Sequence, residues 1–460
     1  MRRWLHLAGE RIVQHLDSLP RQPSADVEEA AALARSLRAD LSEAGKPIEE
    51  LLALLFERAV PKSFNTPGPG YLAYIPGGGL FASAVAGLIA DAVNRYTGLW
   101  LPAPGLVQLE VNVLRWMCRS VGYGEGSGGI LTSGGSLANF SALVTARRER
   151  LGEDFLDGVL YASDQVHHSV QKAAWLAGFA DRHVRVVESD ERFRLRVDRL
   201  AEQVQADRAA GRRPFLVVAN GGSTNTGAVD DLEALAELCA REGLWLHVDA
   251  AYGGFFALTE RGRRALRGMG RADSITLDPH KGLFLPYGSG ALVVREATAL
   301  RRAHSVHADY LPESQSDPEH VDFADISPEL SRPNRGLAVW LPLALHGVGA
   351  FRWALDEKLD LARWAADELR HMPGMELVAE PQLTVVPFRL SDRGLHPAAS
   401  DARNRALLAA VNRRRRVFLS GTLLRGRFVL RLCVLSFRTH RQRMEAALED
   451  IREAVAELLD

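Results

Sequence analysis

The chain of 460 residues contains little cysteine and almost no net charge. Its three cysteines, Cys118, Cys239 and Cys433, are widely spaced and match no metal-binding or redox motif. We therefore expect buried thiols in a protein of a reducing compartment, which predicts a cytoplasmic location. A formal net charge of −1 provides no general attraction for nucleic acid or for an anionic membrane.

Long apolar runs and leader-like segments are also scarce in the sequence. The N-terminal stretch MRRWLHLAGERIVQHL carries basic residues but lacks the apolar core of a signal peptide. The longest smooth apolar stretch, residues 80–90, is too short to span a bilayer. We expect a soluble protein whose partners include neither nucleic acid nor membranes.

The central part of the chain alternates helical stretches with short apolar strands. The predicted strands are residues 157–163, 183–188, 214–220, 244–250, 274–278 and 290–294. This alternation predicts a mainly parallel sheet with helices on both faces. Amphipathic patterns predict N-terminal helices over residues 26–41 and 47–60, and residues 302–336 form a long stretch without periodicity, typical of a functional or disordered loop.

A turn within residues 128–144 is the first candidate binding element. Its sequence, GGILTSGGSLANFSALV, joins a strand-like entry to a Ser/Gly-rich turn and a helix that begins near Ser136. The N–H groups of a helix start, with glycines that allow close approach, form an anion site. The stretch is neither a dinucleotide-binding nor a Walker motif. An ordinary strand-to-helix turn with Ser136 as N-cap explains the same residues.

Two strand ends carry charged side chains. Asp249 closes the apolar strand in LWLHVDAAYGG, and Lys281 follows the strand in SITLDPHKGLF, one strand–helix–strand step later. The carboxyl edge of a parallel sheet is where α/β folds bind ligands, so both side chains can reach one site. Taken alone, Asp249 also fits a polar strand end, and Lys281 also fits a solvated surface lysine.

Two adjacent histidines, His167 and His168, precede a predicted helix within residues 161–178. A flat imidazole at this place can stack on a flat cofactor. Adjacent histidines point in different directions and no Cys, Asp or Glu lies at ligand spacing, so we expect no metal site.

Together these elements suit one kind of cofactor. An anion-binding helix start, a flat ring, a strand-end carboxylate and a strand-end lysine suit a phosphorylated pyridine aldehyde held as a Schiff base. The lysine amine binds the aldehyde, the aspartate keeps the ring nitrogen protonated, and the helix start takes the phosphate.

Four ordered motifs carry a resemblance to a known family. TSGGSLAN, SDQVHHSVQKAAWLAG, HVDAAYGG and DPHKG resemble the motifs of the pyridoxal-phosphate-dependent group II amino acid decarboxylases, above all the aromatic-L-amino-acid decarboxylase branch. The likeness extends from about residue 65 to the end of the chain. It implies the type I, aspartate-aminotransferase-like α/β fold, with a mainly parallel seven-stranded sheet and a small C-terminal α+β lobe.

The resemblance implies a role for each matching residue. Lys281 would hold pyridoxal 5'-phosphate (PLP) as a Schiff base, Asp249 would pair with the pyridine nitrogen, and His167 and Ala251 would flank the ring. The implied contacts to the phosphate and to the 3-hydroxyl group come from Gly134, Gly135, Ser136, His280 and Thr224.

Four further residues match positions near the substrate. Tyr74 and Pro76 match a segment that lines the substrate pocket, Trp100 lies near it, and Arg431 matches an arginine of the small lobe. Arg431 in a structural ion pair is the alternative. The family has an aromatic residue and a threonine where this chain has Ile75 and Gly77, so the side-chain pocket is expected to differ.

The loop at residues 302–336 departs from the family at a catalytic position. A tyrosine on this mobile lid is the family's implied proton donor, and the corresponding position here is Phe323; Tyr310 matches a different family tyrosine. A phenyl ring cannot donate a proton. Family members with phenylalanine there can yield an aldehyde, ammonia and peroxide, whereas His167 or water can protonate the substrate instead.

The sequence thus predicts an enzyme that removes the α-carboxylate of an L-amino acid, possibly an aromatic one. The alternatives are an oxygen-dependent aldehyde synthase, an aminotransferase or other lyase on the same fold, and an inactive scaffold, against which Lys281 and Asp249 argue. The predicted domains are an N-terminal helical arm (1–65), a large PLP-binding domain (66–345) and a small C-terminal domain (346–460). The resemblance also implies a homodimer with the active site at the subunit interface.

Overall fold

The computed structural model describes residues 1–306, 320–391 and 394–459. The helices are α1 Arg2–Ser18, α2 Ala30–Ser36, α3 Ile48–Ala53, α4 Phe81–Val93, α5 Pro104–Ser120, α6 Gly135–Arg150, α7 His168–Leu176, α8 Val197–Ala209, α9 Leu232–Glu242, α10 Glu260–Ala265, α11 Pro279–Gly282, α12 Thr298–His304, α13 Arg335–His371, α14 Pro397–Arg413 and α15 Arg441–Leu459. The strands are β1 Gly128–Thr132, β2 Gly158–Ser163, β3 Val184–Val187, β4 Arg213–Asn220, β5 Trp245–Asp249, β6 Ser274–Leu277, β7 Gly290–Val294, β8 Met375–Leu377, β9 Val385–Leu390, β10 Ser420–Leu424 and β11 Arg427–Cys433.

The larger of two compact units comprises residues 77–359 and 379–385. Its seven-stranded sheet has the order β1-β7-β6-β5-β4-β2-β3. β7 pairs antiparallel with both neighbours, and the pairs among β6, β5, β4, β2 and β3 are parallel. β2, β5 and β6 are buried at every position, which is typical of strands covered on both faces. The predicted fold class, a mainly parallel α/β sheet, is confirmed.

The sheet places five strand ends at one edge. Because β7 is antiparallel to both β1 and β6, β1 runs in the same direction as β6 and the parallel strands. The turns after β1, β2, β4, β5 and β6 therefore meet at the carboxyl edge of the sheet. This is the edge at which the sequence predicts the binding site.

The second unit comprises residues 1–76, 360–378 and 386–460. Its four-stranded sheet has the order β10-β11-β9-β8, with antiparallel pairing of β10 with β11 and of β8 with β9. The inner sides of α14 and α15 contribute to the core that covers this sheet, through residues such as Leu407, Val411, Met444 and Ile451. The predicted small C-terminal α+β lobe is therefore present, and its pairing of β10 with β11 and of β8 with β9 is antiparallel. The three-part division of the chain at residues 65 and 345 stays a prediction.

Two helices differ from the sequence-based predictions. The helix predicted over 26–41 is limited to α2, because Glu29 has a left-handed backbone (φ 61°) that stops it from extending toward the N-terminus. Within α13, Gly347 is non-helical (φ 71°, ψ 151°) and separates residues 335–346 from 348–371. By length and composition alone, α13 is long and apolar enough to cross a membrane, but Gly347 interrupts its helical backbone.

Candidate active site

A cavity of about 280 Å³ lies at the carboxyl edge of the larger sheet. The structure brings together in its lining all nine residues that the sequence analysis assigned to the cofactor: Gly134, Gly135, Ser136, His167, Thr224, Asp249, Ala251, His280 and Lys281. Each lies at the end of a strand or in the turn or short helical segment that follows one. The convergence results from the strand order rather than from closeness in the sequence.

Lys281 lies in α11, the short helix that directly follows β6. Its Nζ is 3.1 Å from Oδ2 of Asp278, whose side chain is almost fully buried. The other oxygen, Oδ1, accepts no hydrogen bond from the described part of the chain. The lysine amine is thus held inside the cavity by a carboxylate three residues before it in the same turn.

Asp249 is the last residue of β5 and is only 7% exposed. Its Oδ2 accepts a hydrogen bond from Nδ2 of Asn139 (2.9 Å), and its Oδ1 accepts one from the backbone N–H of Ala251 (3.2 Å). Donors on both oxygens fix the orientation of this buried carboxylate. A cationic ring nitrogen is the type of partner that such a group stabilises.

His167 caps the start of α7 and lines the same cavity. Burial lowers the pKa of its imidazole, partly against the attraction of the Asp249 carboxylate. The ring is therefore neutral near pH 7. A neutral ring beside the cavity can pack against a flat ligand without adding a charge.

The start of α6 provides the anion site. The helix begins at Gly135, so Ser136 is its second residue and not the N-cap that the structural alternative required. A Cβ on Gly135 would lie 3.0 Å from Oδ2 of Asp278 and 3.2 Å from Cβ of Ala251, so this position has no room for a side chain. The backbone hydrogen bonds of α6 begin with Leu137 and Ala138, which donate to the carbonyl of Gly134, so the N–H groups of Gly135 and Ser136, two residues that line the cavity, precede them, as in a phosphate site.

The residues present fit PLP. The cavity combines a primary amine, a fixed buried carboxylate, a neutral imidazole and the start of a long helix. These groups match the aldehyde, the ring nitrogen, the ring face and the phosphate of the cofactor. The imidazole of His280 also lines the cavity. Its Nδ1 donates to the carbonyl of Ser289, and burial lowers the pKa of the ring.

Phe323 and Trp100 lie elsewhere in the larger unit. Phe323 is 0% exposed and lines a second cavity of about 940 Å³, where the guanidinium of Arg332 lies 4.5 Å from its ring. The Trp100 ring stacks on His320 with 3.6 Å between centroids, and the backbone N–H of Trp100 donates to Oδ1 of Asp322 (2.7 Å). Neither residue lines the cavity that contains Lys281. Tyr310 lies outside the described residues.

Tyr74, Pro76 and Arg431 belong to the second unit. The Arg431 guanidinium donates to the backbone oxygen of Tyr74 (3.0 Å) and to the hydroxyl of Ser420 (3.2 Å). Tyr74 itself has a left-handed backbone (φ 52°). These two contacts are to neutral groups, and the alternative of a structural ion pair for Arg431 stays a prediction. Its substrate role stays a prediction.

The sequence analysis did not identify Asn139 and Asp278 as site residues. Both line the cavity, and each bonds a residue that was identified, Asn139 to Asp249 and Asp278 to Lys281. Asp278 had a local signal, since it lies three residues before Lys281 in DPHKG. Asn139 ends the motif TSGGSLAN, but that motif did not indicate its partner Asp249, which is 110 residues away. Within the described ranges, no three His, Cys, Asp or Glu side chains form a group able to hold a metal ion.

Comparisons with known proteins place this site in a family. The model of the pyridoxal-dependent decarboxylase conserved domain matches residues 33–391. An aromatic-L-amino-acid decarboxylase of Bacillus atrophaeus is 34% identical over 462 residues, covering 100% of this chain and 96% of the relative. A phenylacetaldehyde synthase of Arabidopsis thaliana is 28% identical, with coverage of 100% and 96%.

A solved structure agrees with the fold and the cofactor. The crystal structure of Oryza sativa TDC with PLP and tryptamine has a TM-score of 0.94 and 28% identity to this chain, covering 100% of this chain and 98% of that one. Together with the match over more than half of the chain, this confirms the resemblance drawn from the four motifs. The chain therefore belongs to the pyridoxal-dependent decarboxylase family and is a PLP-dependent carboxy-lyase.

Proposed function

We propose that the chain removes the α-carboxylate of an aromatic L-amino acid with PLP bound at Lys281. The observation that carries this proposal is the single cavity that holds Lys281, Asp249 and His167 beside the start of α6. The relative of Bacillus atrophaeus, an aromatic-L-amino-acid decarboxylase, supports the choice of an aromatic substrate.

The residues of the cavity have separate roles in this proposal. When bound, PLP supplies a conjugated pyridinium that takes up the electron pair left when the Cα–carboxylate bond breaks. Lys281 supplies the amine that binds the aldehyde carbon, and Asp249 keeps the ring nitrogen protonated. The α6 start and His280 hold the phosphate, and His167 packs against the ring.

The test is a product assay on the purified protein supplied with PLP. Aromatic L-amino acids, L-glutamate and L-alanine would be offered separately, and CO₂, amine and keto acid would be measured. We expect equal amounts of amine and CO₂ from the aromatic substrates. A preference for L-glutamate would contradict the substrate class. Keto acid without CO₂, the aminotransferase outcome, would contradict the reaction.

An oxygen-dependent aldehyde synthase is the second candidate. Two observations favour it. Phe323 is at the position of the family's lid tyrosine, and one relative is named a phenylacetaldehyde synthase, which is an aldehyde-forming enzyme. The same assay in air discriminates, because this reaction gives aldehyde and peroxide in place of amine. If aldehyde forms, Phe323→Tyr should shift the product toward amine, and an unchanged ratio would remove Phe323 from that role.

We further propose that the chain forms a homodimer. In the second unit, α1 buries none of its residues, and Trp4, Leu5 and Val13 are more than half exposed. In the larger unit, Leu88 and Ile89 of α4 are 56% and 44% exposed. Apolar surface of this kind is typical of an interface, and a second copy is the proposed partner.

The dimer is tested by light scattering during size-exclusion chromatography. We expect about twice the chain mass of 50.4 kDa. Leu88→Glu should shift the mass toward that of one chain, whereas Leu156→Glu, at an exposed position between α6 and β2, is the control. A wild-type protein with the mass of one chain would contradict the proposal.

We also propose a cytoplasmic location. The three cysteines are free and buried, which supports a reducing compartment. Fractionation of source cells with an antibody to the chain tests this, and recovery with the membrane or secreted fraction would contradict it.

A further inference from the structure

A hydrogen-bonded network of polar side chains lies behind the cofactor cavity. Its members are Trp245, Ser274, His247, Thr276, Asn139, Ser169, His167 and Asp249. All of them are buried except for His167, which is partly exposed to the cavity. Buried polar groups require hydrogen-bond partners, and each of these groups has a partner within the network.

Asn139 lies at the centre of this network and forms hydrogen bonds through both the nitrogen and the oxygen of its amide. Its Nδ2 donates to Oδ2 of Asp249 (2.9 Å) and to the hydroxyl of Ser169 (2.9 Å). Its Oδ1 accepts from the hydroxyl of Thr276 (2.7 Å) and lies 3.1 Å from Nε2 of His247. Because an ionised carboxylate only accepts hydrogen bonds, the amide nitrogen must face Asp249.

At the Trp245 end of the network, the hydrogen bonds run in the direction that agrees with this orientation of the Asn139 amide. The indole N–H of Trp245 can only donate, and it donates to the hydroxyl oxygen of Ser274 (2.8 Å). That hydroxyl then donates to Nδ1 of His247 (2.8 Å), which leaves the ring proton on Nε2, facing Asn139. Burial lowers the pKa of His247 to about 4, so the ring carries one proton at neutral pH.

In the other direction, the network connects Asn139 through Ser169 to His167. The Ser169 hydroxyl accepts from Asn139 and therefore donates to Nδ1 of His167 (2.8 Å). The backbone N–H of Ser169 also donates to Nδ1 (3.3 Å). Two donors on one ring nitrogen leave it without a proton, so the proton of the neutral ring is on Nε2.

We propose that Asn139 is a positioning residue that orients the Asp249 carboxylate toward the ring nitrogen of PLP and, through Ser169, fixes which nitrogen of His167 carries the proton. One side chain thereby controls the two groups that act on the cofactor ring. This inference rests on the proposed function, because it assigns Asp249 and His167 their places around bound PLP.

Two substitutions of Asn139 test the proposal. Asn139→Asp preserves the size of the side chain but replaces the donor that faces Asp249 with an acceptor. Asn139→Ala removes both donors. Each change deprives a buried carboxylate of a hydrogen bond, which corresponds to an affinity loss of about 10-fold or more for a cation that the carboxylate binds.

The matched control is Asn404 of α14, an equally buried asparagine in the second unit. Its amide oxygen accepts from the backbone N–H of Leu390 (2.7 Å), and its nitrogen donates to the carbonyls of Leu390 and Ser400. Asn404→Ala therefore removes a buried amide with similar bonding but no link to Asp249. It controls for the general cost of losing such a side chain.

The first measurement is the affinity of the apoprotein for PLP, obtained by titration in the absence of any substrate. We expect Asn139→Asp and Asn139→Ala to weaken it about 10-fold or more, and Asn404→Ala to keep the wild-type value. Wild-type affinity in both Asn139 variants would overturn the inference. If Asn139→Ala does not fold, the isosteric Asn139→Asp decides alone.

The second measurement separates positioning from a structural effect. At saturating PLP, the visible absorbance of the bound cofactor would be recorded as a function of pH. The charged and titratable groups around His167 are Asp249, His168, Lys281 and Asp278, and all are retained in the variants. We expect the pH dependence to change in the Asn139 variants only. Identical pH profiles in the wild type and both variants would contradict the role.

Failure of the inference and failure of the proposed function give different results. A wild-type apoprotein that binds no PLP would contradict the proposed function itself. A wild-type protein that binds PLP, beside Asn139 variants that bind it equally well, would contradict only the role of Asn139.

Discussion

Single residues determine the chemistry, and Asp249 is the most informative of them. Its carboxylate is buried, receives two hydrogen bonds and lies in the cavity with Lys281. Desolvation of a carboxylate is costly unless a cation or donors compensate for it. A protonated ring nitrogen offers that compensation, and the carboxylate in return keeps the ring electron-withdrawing.

Asp249→Ala should therefore lower turnover by about 100-fold or more, because the ring nitrogen loses the group that keeps it protonated. The measurement is kcat with PLP at saturation. Asp207→Asn is the matched control, since Asp207 is also buried and bonded to Tyr161 and Arg185 but lies outside the cavity. Near-normal turnover in Asp249→Ala would remove Asp249 from this role.

The sequence was sufficient to identify residues whose position in a strand–turn–helix unit defines their place. Asp249 ends β5 and Lys281 follows β6, so the direction of the strands alone brings both to one edge. Asn139 is on the cavity side of α6 because of how that helix packs on the sheet. Helix packing depends on tertiary contacts, and no short motif reports it.

At the scale of elements, the segment after residue 320 is attached to α5 by a buried ion pair. Arg332 and Glu110 have side chains that are 1% and 0% exposed, and their charged atoms are 2.5 Å apart. Oε2 of Glu110 also accepts from the backbone N–H of Gly336 at the start of α13. Phe323 packs on the Arg332 guanidinium, so the pair of Arg332 and Glu110 together contacts both ends of residues 323–336.

Glu110→Gln should lower the free energy of unfolding by about 3–5 kcal/mol, because Arg332 would remain as a buried charge without its counterion. Chemical denaturation measures the change. Glu260→Gln, which breaks the exposed pair with Arg264 one helical turn away, is the control and should cost about 0.5 kcal/mol or less. Equal effects of the two substitutions would contradict the anchoring role of Glu110.

The position of Phe323 shows where sequence analysis was limited. The motif spacing assigned it to a lid, which stays a prediction, and in the described chain its ring is buried against Arg332 and does not line the cavity of Lys281. The burial depends on Glu110, 222 residues before Arg332 in the chain, which neutralises the arginine. A contact over such a distance in sequence cannot be predicted from the loop itself.

At the scale of the whole molecule, buried histidines couple folding to pH. Burial lowers the pKa of His247 and of His304 to about 4, from an ordinary value of 6.5. Between these values the unfolded chain binds protons that the folded chain does not, so stability falls as the pH falls from 6.5 toward 4. Asp230 acts in the opposite direction, because burial raises its pKa to about 6.

The two histidines outweigh Asp230, so the free energy of unfolding should fall by roughly 3 kcal/mol between pH 6.5 and pH 4.5. Chemical denaturation at several pH values measures this. His304→Gln should make the dependence shallower, because the amide cannot take up a proton, and the exposed His6→Gln is the control. A stability that rises on acidification would contradict the assignment of neutral buried histidines.

The fold of the whole molecule also shows which features can be predicted from the apolar pattern of the sequence. The six strands predicted between residues 157 and 294 all occur, because runs such as those of β4 and β5 are mainly apolar and end in turns. The antiparallel direction of β7 was not predicted, since strand direction depends on pairing with β1 and β6. The extent of α2 was also missed, because the left-handed Glu29 has no sequence signature.

The central claim is that Lys281 carries PLP in the cavity formed by the turns after β1, β2, β4, β5 and β6. The most direct measurement is to load the protein with PLP, reduce it with borohydride, digest it and locate the modified lysine by mass spectrometry. We predict a reduced pyridoxyl adduct on the peptide that contains Lys281, and none in Lys281→Ala. An adduct on another lysine, or an unmodified Lys281 peptide in active protein, would contradict the account.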